Sequence, residues 1–171
     1  LWTNRPADLD LFIELMRHVL SLFPSSALLG FTSDFKSAYR QCSANPKHAS
    51  GWVLVIWCCV HNRQVFGIAG AQLFGCSLAP VNFCRIPDWC AHVVSRLFGL
   101  ALIHCIDDVM TVERSETVEL GYRVWRKFAE ICGWDIPDAK SPPPAFVFRL
   151  LGAIIDLSRT PLAPVIRLAP D

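Results

Sequence analysis

Two adjacent carboxylates, Asp107 and Asp108, lie between two apolar runs in the stretch HCIDDVMTVE at residues 104–113. Asp is favoured in turns and the flanking residues are rich in β-branched types, so the pattern predicts a strand, a tight turn and a second strand. One interpretation of the pair is a solvated hairpin tip. The other is a divalent-metal site, because paired carboxylates supply the hard oxygen ligands that Mg²⁺ prefers.

A third carboxylate, Asp34, ends a predicted buried strand with the sequence ALLGFTSD at residues 27–34. If this strand neighbours the Asp107–Asp108 hairpin, three carboxylates converge at one end of a sheet. Such a cluster repels itself without cations, which favours binding of two divalent ions. Two metal ions about 4 Å apart suit in-line phosphoryl transfer, because one activates the attacking oxygen and the other stabilises the leaving group.

The rest of the pattern predicts the elements that position these carboxylates. Helices are predicted at 6–23, from about 80 to Phe98 with a kink or restart at Pro87, and at 116–132 with Ser115 as the cap. The other predicted elements are a helical turn at 35–41, a hairpin at 51–70, a rigid loop with Lys140 at 137–144, and a strand at 146–157. This order predicts an α+β fold with helices packed on one face of an antiparallel sheet.

The composition is that of a globular protein with a large core. The chain has 171 residues, of which 53% are hydrophobic and 18% charged, enough for one domain. The net charge of +1 gives no global attraction to nucleic acid. The eight cysteines lack zinc-site spacing, and we interpret them as reduced, mostly buried thiols of an intracellular protein, cytoplasmic or nuclear. The longest apolar run, residues 53–60, is too short to span a membrane, and no targeting segment is visible.

Three stretches resemble motifs of the reverse transcriptase palm domain, and they occur in the same order as in that family. The segment DFKSAY at 34–39 resembles motif A, FGCSLAPVNF at 74–83 resembles motif B in its retrotransposon form, and CIDD at 105–108 resembles motif C. Weaker matches are GWDIPDAKS at 133–141, which resembles motif D, and FRLLGAII at 148–155, which resembles motif E. The resemblance implies a polymerase palm over residues 25–157, with a helix leading in from a fingers region over 1–24 and a linker or tail over 158–171.

The resemblance implies an RNA-directed DNA polymerase of a retroelement, which transfers nucleotides onto a primer 3′-hydroxyl. Asp34, Asp107 and Asp108 would be catalytic and would bind two Mg²⁺ ions, or Mn²⁺ in their place, and the Phe35 carbonyl would complete one coordination shell. Lys140 would be a catalytic residue near the triphosphate that protonates the departing pyrophosphate. The implied partners are an RNA or DNA template with its primer, deoxynucleoside triphosphates, and the fingers, thumb and RNase H domains of a longer polyprotein, with no membrane.

Nucleotide-binding roles are implied for Phe35, Tyr39, Phe74 and Gly75. Tyr39 matches the steric gate of the family, whose ring occupies the space that a ribose 2′-hydroxyl would need, so a DNA product is expected. An RNA-templated RNA polymerase would have to incorporate ribonucleotides despite Tyr39. Gly75 would allow the backbone to approach the nucleotide or template closely, because glycine lacks a Cβ.

Two features set this chain apart from the family pattern. Cys105 replaces the usual Tyr of motif C, and the chain begins at Leu1, shortly before motif A. We therefore expect a fragment that lacks upstream fingers strands and has little or no polymerase activity alone. Robust Mg²⁺-dependent primer extension on an RNA template by these 171 residues would contradict this expectation. The alternative is a degenerate or domesticated palm domain that binds nucleic acid or a protein partner without catalysis.

Overall fold

The computed structural model describes residues 9–73, 75, 77, 79–160 and 164–169, without the side chains of 48 and 49. The chain divides into two compact units, Ser37–Phe83 and a larger unit formed by Leu1–Lys36 and Cys84–Asp171. The described helices are α1 (Leu9–Leu22), α2 (Ala79–Phe98) and α3 (Val118–Ile131). The strands are β1 (Leu28–Asp34), β2 (Val53–Cys58), β3 (Arg63–Ile68), β4 (Ile103–Cys105), β5 (Asp108–Arg114), β6 (Val147–Leu150), β7 (Ala153–Asp156) and β8 (Val165–Leu168). The predicted α+β class with antiparallel sheets is confirmed.

The central sheet of the larger unit is antiparallel, with strand order β1-β5-β4. Side chains alternate between its two faces, and buried apolar residues occur on both. On one face, Met110 and Val112 join a core with Phe12 and Met16 of α1. On the opposite face, Phe31 packs edge-on against Tyr122 of α3. The sheet is therefore covered on both faces, whereas the sequence predicts helices on one face.

The strand β6 lies close to the backbone of β1. Gly30 and Ala145 exchange backbone hydrogen bonds of 3.1 and 2.9 Å. A Cβ at Gly30 would lie 2.9 Å from the carbonyl oxygen of Thr111 and would overlap the ring of Phe148. Only glycine therefore allows this close packing of the two sheets.

The C-terminal part of the chain forms a second antiparallel sheet, with strand order β6-β7-β8. The sequence predicts a single strand over 146–157, but a turn at Leu151 and Gly152, both with positive φ (47° and 78°), divides it into β6 and β7. Positive φ at both central residues is the geometry of a tight hairpin turn. The segment 158–171, predicted to be a linker or tail, contains β8, which pairs with β7.

The helices differ from the sequence-based predictions in two details. The helix α2 is not restarted at Pro87, because the buried residues Cys90 and Val94 stabilise its inner face and the proline removes only one hydrogen bond. Ser115 does not cap α3, since its N–H donates to the carbonyl of Ala27 and the N-cap position is taken by Thr117. Pro6, in the predicted first turn of α1, lies outside the described residues.

The unit Ser37–Phe83 contains the predicted hairpin, in which β2 and β3 pair antiparallel. Its turn covers residues 59–62, slightly earlier than predicted. The predicted helical turn is present as a 3₁₀ helix at Ala38–Gln41. Both faces of the hairpin expose large apolar side chains, which are Val53, Val55, Ile56, Trp57, Phe66 and Ile68.

No helix in the described part of the chain is both long and apolar enough to cross a membrane. The seven cysteines within the described residues are free thiols, and only Cys42 and Cys90 are buried. The prediction of mostly buried cysteines is therefore wrong. Burial raises the pKa of the Cys90 thiol to about 11, so this thiol is protonated at neutral pH.

Candidate active site

The pairing of β1 with β5 brings two of the predicted carboxylates together. Asp34 is the last residue of β1, Asp108 is the first of β5, and the two are direct cross-strand partners. Side chains of such partners lie on the same face of the sheet, about 5 Å apart at Cβ. Like charges at this separation repel each other, so the register concentrates negative charge at one end of the sheet.

Asp107 lies in the two-residue turn between β4 and β5, next to this pair. Its carbonyl accepts a hydrogen bond of 3.2 Å from the backbone N–H of Phe35, the residue that follows Asp34. The preceding turn residue, Ile106, has φ +55°. A β-branched residue is strained in that region, so surrounding contacts must stabilise the turn. All three predicted carboxylates thus lie on neighbouring backbone segments.

The pKa of Asp108 reflects both its burial and the negative charge of this cluster. Burial, together with the nearby carboxylates of Asp107 and Asp34, raises the Asp108 pKa from 3.8 to about 6. Lys140 and His104 oppose this rise only partly. A carboxyl group that is costly to ionise without a cation is typical of sites that bind cations or of catalytic sites.

Lys140 supplies the positive charge closest to Asp34. Its Nζ donates a hydrogen bond of 2.5 Å to Oδ2 of Asp34, and this bond raises the Lys140 pKa. The lysine ends a short 3₁₀ helix, Asp138–Lys140. The sequence predicts Lys140 near the triphosphate, and the structure brings it to the carboxylate cluster.

The segment that carries Lys140 is fastened to β1 by a buried polar network. The hydroxyls of Ser33 and Ser141 are 2.6 Å apart, and the hydroxyl of Tyr122 donates to the Ser141 carbonyl at 2.5 Å. Ser33 precedes Asp34 and Ser141 follows Lys140 in the chain. The serine pair therefore sets the distance between the two charged neighbours, and nothing in the sequence signals it.

Two observations bear on metal binding. Oδ1 of Asp34 is buried and has no hydrogen-bond partner among the described residues, so a cation or a water molecule could satisfy it. Within the same described part of the chain, no three His, Cys, Asp or Glu side chains are arranged to hold a metal ion. The donor types thus fit Mg²⁺, while the ammonium of Lys140 occupies one oxygen of Asp34.

Phe35 contributes to this site through its backbone. Its ring is 1% exposed and packs edge-on against Trp125 and Trp134, with centroid distances of 6.3 and 4.9 Å. The next residue, Lys36, binds Asp135 through both its backbone and its side chain. These contacts hold the segment after Asp34 in place, and they leave the Phe35 side chain no exposed surface for a nucleotide.

The remaining predicted site residues belong to the unit Ser37–Phe83. The ring of Tyr39 packs edge-on against Phe83 at 5.4 Å, which restrains its orientation. Gly75 has φ +89°, a conformation that favours glycine, and a Cβ there would have no described neighbour within 4 Å. Phe74 lies outside the described residues.

The strand β4 carries the two residues before the turn. Cys105, at the position of the family's usual Tyr, pairs with Asp108 across β4 and β5. His104 is buried, and both of its ring nitrogens lie against acceptors, Oδ1 of Asp88 and the carbonyl of Ile106. The sequence suggests only packing for His104, because its partner lies sixteen residues away on α2.

The fold is similar to solved structures of reverse transcriptases. The foamy viral protease-reverse transcriptase dRH in complex with double-stranded DNA matches with a TM-score of 0.66 and 12% identity, covering 92% of this chain and 25% of that one. Structures of the foamy viral protease-reverse transcriptase with an RNA/DNA hybrid and with double-stranded DNA give TM-scores of 0.57 and 0.55, at 13% and 17% identity. They cover 75% and 76% of this chain and 16% and 25% of the matched chains.

This similarity defines the class of fold, which is reverse-transcriptase-like. The chain spans a quarter or less of the length of each of these structures. No protein-family model matches the sequence. No curated protein matches it either.

Proposed function

We propose that this chain is the palm of an RNA-directed DNA polymerase, which transfers deoxynucleotides onto a primer 3′-hydroxyl. One observation carries the proposal: Asp34 and Asp108 pair across β1 and β5, and Asp107 lies in the adjoining turn. These are the residues that match the catalytic motifs A and C. The reverse-transcriptase-like fold supports the assignment.

The carboxylates of Asp34, Asp107 and Asp108 would hold two Mg²⁺ ions, and the Phe35 carbonyl would complete one coordination shell. The buried oxygen of Asp34 that has no described partner supports this assignment, as does the raised pKa of Asp108. Bound divalent ions would lower the pKa of the primer hydroxyl and neutralise charge on the phosphates. The role of the protein is to present the carboxylates on rigid strands.

Lys140 would act on the departing pyrophosphate. Its side chain is 45% exposed, so the ammonium has room to leave Asp34 and reach a phosphate. There it would donate a proton from Nζ to the leaving oxygen. The serine pair at Ser33 and Ser141 keeps the lysine backbone next to the site during this movement.

Tyr39 would select the sugar of the incoming nucleotide. In this role its ring would exclude a ribose 2′-hydroxyl, and the edge-on contact with Phe83 would keep the ring from moving aside. Gly75, in the motif B segment, would let the backbone approach the nucleotide or the template. Phe74 retains its predicted nucleotide-binding role only through the resemblance. The expected partners are a primed RNA or DNA template and deoxynucleoside triphosphates.

Binding of Mn²⁺ tests the metal site directly. We expect the free Mn²⁺ signal in electron paramagnetic resonance to fall when the protein is added. The double variant Asp107→Asn plus Asp108→Asn should weaken binding at least about tenfold. Asp156→Asn removes a carboxylate elsewhere, and it should leave binding unchanged. Equal Mn²⁺ binding by the wild type and the double variant would refute the metal site.

A palm domain that binds nucleic acid or a protein partner without catalysis is the second candidate. The ion pair between Lys140 and Asp34 favours it, because the ammonium already neutralises one carboxylate. The two candidates differ in how primed template and Mn²⁺ together affect the binding affinities of the protein. A catalytic palm should bind deoxynucleotide more tightly when both are present, measured with a fluorescent deoxynucleoside triphosphate. A non-catalytic palm should bind template, if at all, with the same affinity with and without Mn²⁺.

A further inference from the structure

His104 is a buried polar side chain that the proposed chemistry does not use. Its side chain is 3% exposed, and it lies on β4 three residues before Asp107. Nδ1 is 2.7 Å from Oδ1 of Asp88 on α2, and Nε2 lies within hydrogen-bond distance of the Ile106 carbonyl. The imidazole therefore connects a helix to the turn that carries the carboxylates.

The partners of the ring determine where its hydrogens lie. The Ile106 carbonyl can only accept, so Nε2 must carry a hydrogen and donate it. Nδ1 lies against the carboxylate of Asp88, so α2 holds the other side of the ring.

The turn that receives the second hydrogen bond needs such support. Ile106 adopts φ +55°, a conformation that is strained for a β-branched residue. The residue is 43% exposed, so packing does not enclose it. A donor fixed on its carbonyl orients the peptide that leads into Asp107. The Asp107 carbonyl in turn accepts from the N–H of Phe35, beside Asp34.

We propose that His104, held by Asp88, is a positioning residue that fixes the Ile106 carbonyl and thereby the geometry of Asp107 and Asp108. The pair holds the turn rigid before any cation arrives, so the carboxylates need not be ordered on binding. This inference rests on the proposed function for its consequence in metal binding. Its structural part, the restraint of the turn, stands without it.

Amide hydrogen exchange in the metal-free protein measures that restraint. The N–H of Phe35 is the donor to the Asp107 carbonyl, so its exchange reports how often the turn opens. We expect His104→Leu, which removes both hydrogen bonds, to speed Phe35 exchange by about tenfold or more. Asp88→Asn keeps an acceptor for Nδ1 and should have a smaller effect. His92→Leu, an exposed change on α2, should have none.

The Thr111 amide, three residues into β5 from Asp108 and paired with Phe31 of β1, separates a local effect from a global one. Unchanged Phe35 exchange in the folded variants would overturn the proposal. Equal acceleration at Phe35 and Thr111 would also overturn it, because a destabilised fold explains that result. If His104→Leu does not fold, Phe35 exchange is compared between the wild type and the variants His104→Gln and Asp88→Asn. Each of these variants retains part of the hydrogen bonding.

Mn²⁺ affinity supplies the second readout. We expect His104→Leu to weaken Mn²⁺ binding by about tenfold, with a smaller loss for Asp88→Asn. Unchanged Mn²⁺ affinity in a folded variant with faster Phe35 exchange would overturn the link from turn to carboxylates. A wild-type protein that binds no Mn²⁺ would instead refute the proposed function, and hydrogen exchange would still decide whether His104 restrains the turn.

Discussion

Replacing Asp108 by Asn should stabilise the metal-free protein. The rise of the Asp108 pKa from 3.8 to about 6 means that the folded chain disfavours the charged form. A rise of that size corresponds to about 3 kcal/mol at neutral pH. Solvent screening at this half-buried position reduces it to about 1–2 kcal/mol. For a chain of this length we therefore expect the melting temperature to rise by about 2–8 °C.

The effect of Asp108→Asn should depend on pH in a defined direction. Because the folded-state pKa lies above the unfolded value, the folded chain binds more protons between pH 3.8 and about 6. The contribution of protonated Asp108 to the stability of the wild type is therefore fully present below about pH 4 and is lost as the pH rises to about 6. The advantage of the variant should be small at pH 4, grow through that interval and remain constant above it.

Thermal unfolding in a chelator at several pH values tests this reasoning. Asp156→Asn is a matched control because the pKa of Asp156 is shifted in the opposite direction. Hydrogen bonds from the Ser158 hydroxyl and backbone lower that pKa. That variant should gain no stability at neutral pH. Added Mg²⁺ should stabilise the wild type more than Asp108→Asn and so narrow their difference. A variant that is no more stable than the wild type at pH 7.5 in chelator would refute the electrostatic argument.

Three other changes test separate parts of the structure. Gly30→Ala should destabilise the fold by about 2 kcal/mol or more in denaturant unfolding, because its Cβ would overlap Phe148; an unchanged midpoint would contradict that packing. Ser141→Ala leaves a buried hydroxyl unpaired and should cost about 1–3 kcal/mol, while adding Ser33→Ala should cost little more. In primer extension by a protein that carries this segment, Tyr39→Ala should raise ribonucleotide use roughly 10- to 100-fold. Tyr39→Phe should keep the preference, and equal sugar choice in all three proteins would refute the steric gate.

The carboxylate site is the part that the sequence predicts best. Asp34 and the Asp107–Asp108 pair are recognisable because each ends or begins an apolar strand, and strand ends are readable from local pattern. Their meeting depends on the β1–β5 register, in which every residue from Leu28 to Asp34 has a partner. Because β1 and β5 carry buried residues on both faces, the alternation of apolar side chains does not fix this register. The sequence therefore predicts the strands and their ends, and the structure supplies the register.

The supporting contacts could not be predicted because they join residues that are distant in sequence. The serine pair spans 108 positions, and the His104–Asp88 pair crosses from a strand to a helix. Neither serine nor histidine carries a local signal, since each type is common in loops and in cores. The hairpin of β7 and β8 is not predictable from the sequence for another reason. Its strands are four residues long, too short for a clear alternation.

The charges at the end of β1 account for a second function of Lys140 in the proposed mechanism. Without metal, its ammonium is the cation that makes the cluster of carboxylates tolerable, through a hydrogen bond of 2.5 Å to Asp34. In the proposed mechanism, a divalent ion on Asp34 would compete with the ammonium for this carboxylate. The lysine would then be available to the triphosphate. Metal binding and delivery of the proton donor would thus be coupled through one carboxylate, and a lysine fixed elsewhere would lack that coupling.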